Sequence, residues 1–208
     1  MGIMTERDRQ WWIAMEEQVR EHLVDLADYG VVIDHRCFQE GWTDDPRILL
    51  RRRAAEALVV ARDALPAGHN FKVLDGWRPW EIQQRCADHA EAEIRAAHAD
   101  WSETQVAEHV ARMAPRIRVV PRLASHRYGG AVDLTIVGPD GAELNMGVPV
   151  DCCTTPAADL LHYHLQNDLG PDETTYRENR SMLIRAMTAG GYEPYLAEFW
   201  HWGYRGDL

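Results

Sequence analysis

Ser125-His126-Arg127-Tyr128-Gly129-Gly130-Ala131-Val132-Asp133-Leu134-Thr135-Ile136-Val137 is the run on which the fold turns. From Ala131 to Val137 the residues alternate and are rich in β-branched side chains, which predicts a strand. Gly138-Pro139-Asp140-Gly141 follows as a turn signal, so a hairpin is expected there. The strand carries one anomaly. Asp133 shares a face with Ala131 and Thr135, while Val132, Leu134 and Ile136 point the other way. A carboxylate inside such a strand is costly unless an arginine, backbone N–H groups or a metal compensates it. His126 stands seven residues upstream, across Gly129-Gly130, a pair that lets the backbone turn tightly and aim the imidazole at the same point.

Working outward, the upstream half is helical. Thr5 to Asp8 resembles a capping box, and Trp12, Met15, Val19, Leu23 and Leu26 step by three and four, predicting a helix that ends before Gly30. Asp45-Pro46 reads as the start of a second helix running to Leu65. Phe71 to Leu74 reads as a short strand. Pro79 to His98 is a third helix, and Ser102 with Gln105 caps a fourth that stops before Pro115. Downstream, a helix is expected from Thr174 to Ala189, closed by Gly190-Gly191, and a final strand within Tyr192 to Tyr204. Helices come first and strands later, without regular βαβ alternation, which makes the fold class α+β. The 208 residues show no repeat or long linker, so residues 1–208 are read as a single domain.

Composition narrows the function classes. With 46% apolar and 26% charged residues the chain has the makeup of a globular protein. Its net charge of −11 argues against a phosphate-backbone partner, so no nucleic acid is expected. No apolar run approaches the roughly 20 residues of a membrane span, and the polar start MGIMTERDRQWW carries no secretion signal. A cytoplasmic location is therefore expected. Cys37, Cys86, Cys152 and Cys153 are read as free thiols or small buried side chains. His162-x-His164 falls in a predicted helix, where alternate residues diverge, and is not read as a metal site.

Two further segments carry chemistry. Glu198-Phe199-Trp200-His201 supplies a second imidazole with a carboxylate three residues away. Positions three apart oppose each other on a regular strand, which places Glu198 in a turn ahead of the strand. Catalytic zinc commonly takes three protein ligands and leaves one position open. His126, Asp133 and His201 meet that requirement, and Glu198 is left free to take a proton from water. Arg78, in the turn Asp75-Gly76-Trp77-Arg78-Pro79, is suited to hold a carboxylate or a developing oxyanion.

Taken together, Asp75-Gly-Trp-Arg-Pro, Ser125-His126-x-x-Gly129-x-Ala131-x-Asp133 and Glu198-x-Trp200-His201 resemble the D-alanyl-D-alanine dipeptidase (VanX-type) family of zinc peptidases. The likeness spans about residues 45 to 204. Residues 1–44 form the N-terminal helix and a divergent segment. The resemblance implies a compact α+β domain whose small antiparallel sheet carries the metal, flanked by helices. It implies one zinc per chain on His126, Asp133 and His201, with Glu198 as catalytic base and Arg78 stabilising the oxyanion. It also implies that Ser125 and Asp151 grip the two ends of a small dipeptide such as D-Ala-D-Ala. The chain departs from the family at Val148 and Val150, between Asp34 and Thr43, and from Cys152 to Thr175. Two alternatives stand beside this reading. A His/Asp/His triad also suits Fe(II) in a biosynthetic enzyme acting on an amino-acid-derived metabolite. A zinc-stabilised binding module would need neither Arg78 nor Glu198. The expected partner is a small-molecule or dipeptide substrate, with no membrane, and a homodimer is left open.

Overall fold

The computed structural model describes residues 6–20, 22–114, 125–150, 154 and 172–206. Helix α1 (Glu6–Arg20) leads into strand β1 (Leu23–Asp25), a 3-10 turn (Leu26–Tyr29), β2 (Val32–Ile33) and the short α2 (Arg36–Gln39). Then come β3 (Leu49–Arg51), α3 (Arg52–Asp63), β4 (Asn70–Asp75), α4 (Trp80–Ala97) and α5 (Glu103–Met113). A 3-10 turn (His126–Tyr128) precedes β5 (Ala131–Val137), followed by α6 (Glu173–Ala189), β6 (Glu193–Tyr195) and β7 (Glu198–Gly203). The architecture is α+β, as expected. No helix among the described residues is long and apolar enough to cross a membrane.

The principal sheet runs β2-β4-β5-β7-β6 and is antiparallel except for the parallel edge pair β2–β4. One face of it is the core. Phe71, Val73, Val132, Leu134, Ile136, Trp200 and Trp202 project there against Ala54, Leu58 and Ala61 of α3 and Leu183, Ala186 and Met187 of α6. The end of α6 comes so close to α3 that a Cβ on Gly190 would lie 2.6 Å from the Ala57 carbonyl oxygen. Helices α4 and α5 form a separate apolar seam through Ala87, Ala90 and Ile94 against Val106 and Val110.

Two predicted helix boundaries are corrected. The first helix ends at Arg20, not before Gly30, and Leu23 belongs to β1, which pairs antiparallel with β3. The 3-10 turn after β1 is capped by the Asp25 side chain and closed by Gly30 at φ 71°. The second helix starts at Arg52 rather than at Asp45. Asp45 instead accepts from the Arg47 backbone in a tight turn, and Leu49–Arg51 is the strand that β1 selects. Both corrections have one physical source: a two-stranded pairing between segments 24 to 28 residues apart in sequence overrides a local period of three and four. The single strand predicted within Tyr192 to Tyr204 is a hairpin, β6–β7. The expected turn at Gly138–Gly141 is present, with Gly138 N–H donating to Ala142 O.

Candidate metal centre

Strand register brings the first groups together. Asp133 on β5 lies opposite His201 on β7, and on its other side opposite Asp75 at the end of β4. Residues directly opposite one another in a ladder share a face. Asp75, Asp133 and His201 therefore form one row across three strands, on the face away from the apolar core. The row depends on an irregularity in β4. Pairing is regular through Val73 opposite Leu134, then slips by one residue, so that Asp75 rather than Leu74 meets Asp133.

His126 comes from the 3-10 turn ahead of β5, which closes on Gly129 in the left-handed region at φ 61°. Its Nδ1 lies 2.6 Å from the Gly76 carbonyl oxygen, which can only accept, so Nδ1 carries the proton and Nε2 presents a lone pair. That Nε2 is 3.1 Å from Asp133 Oδ2 and 3.1 Å from His201 Nδ1, and His201 Nδ1 is 2.9 Å from Asp133 Oδ1. Zinc bonds of 2.0–2.1 Å at tetrahedral angles place ligand atoms about 3.3 Å apart. The three donors thus have the spacing and chemistry of a cation site, one of the two such groups among the described residues. Burial opposes the Asp133 charge, but the neighbouring His126 and His201 outweigh it and hold the carboxyl well below the usual carboxylate range. Burial pushes the His201 imidazole down, against the pull of Asp133.

Glu198 opens β7, not a turn ahead of it, and its Oε2 is 3.8 Å from His201 Nδ1. A second irregularity reconciles the spacing: Pro194 pairs with Trp202 but Tyr195 pairs with Glu198, so β7 bulges between them. The bulge resets the alternation, and residues three apart face the same point. Trp200, between them, is turned into the core.

Arg78 approaches from the turn after β4. Its Nε and one terminal nitrogen lie 2.8 and 2.5 Å from Asp75 Oδ2, and the same terminal nitrogen is 3.3 Å from Asp133 Oδ2. The other terminal nitrogen donates to Gln83 Oε1 at 3.2 Å. Burial works against the guanidinium charge, and Asp75 leads the groups that raise its pKa nonetheless. Asp75 and the Gly76 carbonyl received no role from the sequence. The signal was there: an acidic residue three positions before the arginine of a turn is within reach of it. Ser125 sits at the head of the His126 turn, where its carbonyl accepts from Tyr128 and Gly130. Asp151, Cys152, Cys153, His162 and His164 lie outside the described residues. The loop leading toward Asp151 is tied to α6, Asn179 donating to Asn145 O and the Arg180 Nε to Met146 O.

Residues 37–208 match the sequence profile of Peptidase M15, described as D-Ala-D-Ala dipeptidase. A D-alanyl-D-alanine dipeptidase of Synechocystis sp. is 27% identical over 171 residues, covering 75% of this chain and 67% of that one. A crystal structure of the vancomycin-resistance D,D-pentapeptidase VanY in complex with Zn(II) aligns with a TM-score of 0.40 and 20% identity, over 86% of this chain and 82% of that one. The chain belongs to the Peptidase M15 family of D-Ala-D-Ala dipeptidases and is a metallo-hydrolase.

Proposed function

We propose that this protein is a zinc-dependent dipeptidase acting on D-Ala-D-Ala or a closely related small dipeptide, with His126, Asp133 and His201 holding one zinc ion. The observation that carries the reading is the convergence of three lone-pair donors, none more than 3.1 Å from its neighbours, with a glutamate beside them. A zinc ion held there supplies Lewis acidity to the scissile carbonyl and acidifies water for attack. Glu198 takes the proton from that water and returns it to the leaving amine. Arg78, pinned by Asp75, holds the oxygen on which negative charge develops. Ser125 and Asp151 grip the carboxylate and ammonium ends of the substrate. Iron(II) chemistry on the same triad gains nothing from the family, and the presence of both Glu198 and Arg78 in the chain favours hydrolysis. Cys37 and Cys86 are free thiols, in keeping with a cytoplasmic setting.

Glu198→Ala is the decisive variant. It is expected to lower kcat by about 100-fold or more while bound zinc stays near one per chain. A variant that keeps most of its turnover on a panel of D,D, L,D and L,L dipeptides overturns the mechanism.

A further inference from the structure

His35 and Cys37 approach the Asp75–Arg78 pair from outside the site. One ring nitrogen of His35, Cys37 Sγ and a carboxylate oxygen of Asp75 all lie within 4.8 Å of one another. Cys37 and Asp75 are buried, and His35 Nδ1 is itself a buried atom with no hydrogen-bond partner among the described residues. Cys37 Sγ donates to Asp75 Oδ2 at 3.3 Å, and Cys86 of α4 belongs to the same small buried cluster as Cys37. Both thiols are free. Imidazole, thiol and carboxylate, the last two buried and the imidazole half-buried, form a donor set for a borderline-soft cation, not for magnesium or calcium.

We propose that His35, Cys37 and Asp75, with Cys86 beside them, form a second, inhibitory site for a thiophilic divalent cation such as Zn2+ or Cd2+. Binding breaks the Cys37 S–H bond and releases that proton to solvent, while bonds form from the cation to sulfur, to the His35 imidazole and to an Asp75 oxygen. No electron changes hands. Asp75 Oδ2 is the oxygen on which Arg78 Nε and its terminal nitrogen rest at 2.8 and 2.5 Å. A cation on that carboxylate withdraws the lone pairs and repels the guanidinium beside it. Arg78 loosens and turnover falls, although the catalytic cation stays in place. The inhibitory consequence rests on the role proposed for Arg78; binding at the site does not.

The test titrates the full chain, already holding one equivalent of zinc, with excess Cd2+ or Zn2+. Cadmium on thiolate gives an ultraviolet charge-transfer band, which cadmium exchanged into the His126/Asp133/His201 site cannot give. The expected result is a thiolate band, a second bound equivalent and a parallel severalfold fall in dipeptide hydrolysis with excess zinc. Cys37→Ser removes the band. His35→Ala weakens the second equivalent by at least about tenfold and tolerates the excess zinc, with activity at one equivalent unchanged. Absence of the band, or a His35→Ala variant that binds the second cation as well as the parent, overturns the site. A His35-dependent band with undiminished turnover overturns the inhibition. If no dipeptide is hydrolysed at all, the proposed function falls, while the band and stoichiometry still decide the site.

Discussion

At the residue scale the centre works by assigning each lone pair a direction. Gly76 O fixes the His126 tautomer from behind, and Asp75 holds Arg78, so the groups proposed to hold zinc and the oxyanion are oriented by neighbours outside the cation triad. Asp75 is the more exposed of these to a test. Its charge holds Arg78 back from Asp133, whose Oδ2 is already 3.3 Å from the same guanidinium nitrogen. Asp75→Asn keeps an acceptor but removes the charge, and Arg78 then shifts toward Asp133 and competes for its lone pairs. Zinc affinity is expected to fall by about 10–100-fold, with kcat falling as well, read by chelator competition and steady-state kinetics. Unchanged zinc affinity would show that Asp75 does not restrain Arg78.

At the element scale two departures from regular strand geometry build the site. The slip in β4 moves Asp75 into the row of Asp133, and the bulge in β7 turns Glu198 and His201 to one side. Gly76 sits where β4 leaves the sheet, and a Cβ there would stand 2.6 Å from Leu49 O and 2.7 Å from Ile48 Cγ2. The neighbouring Trp77 N–H donates to that same Leu49 carbonyl, so the approach cannot widen without losing a bond. Gly76→Ala is expected to cost about 1–3 kcal/mol and to weaken zinc binding by displacing the carbonyl that orients His126. Denaturant midpoints together with zinc content check both effects.

At the scale of the whole molecule, α3, α6 and the C-terminal hairpin are locked together through Tyr192, whose hydroxyl donates to Ala54 O at 2.7 Å beside Tyr204. Burial pushes the Tyr192 hydroxyl well above the ordinary tyrosine value, and the nearby Tyr204 adds to it. A pKa raised on folding contributes stability that is complete below the unfolded value and is lost as pH rises through it. The protein is therefore expected to lose stability above about pH 10. Tyr192→Phe should cost about 1 kcal/mol at neutral pH yet flatten that alkaline decline; an equally steep decline in the variant would assign it to other groups.

The sequence by itself determined the α+β class, the strand Ala131–Val137 with its misplaced carboxylate, the capped helix α5 and the short list of groups able to hold a cation. Those are local properties: alternation, capping and the cost of a charge among apolar neighbours act over a few residues. The tertiary structure alone decided that Leu23–Asp25 and Leu49–Arg51 are strands, because each takes its ladder partner from the other, distant in sequence. It alone decided the register slip and the bulge, which follow from how β4, β5 and β7 meet and leave no mark on the residues they displace. For the same reason the approach of His35 and Cys37 to Asp75 was not legible beforehand: it comes about through packing, and a turn motif read along the chain does not say what lies across it.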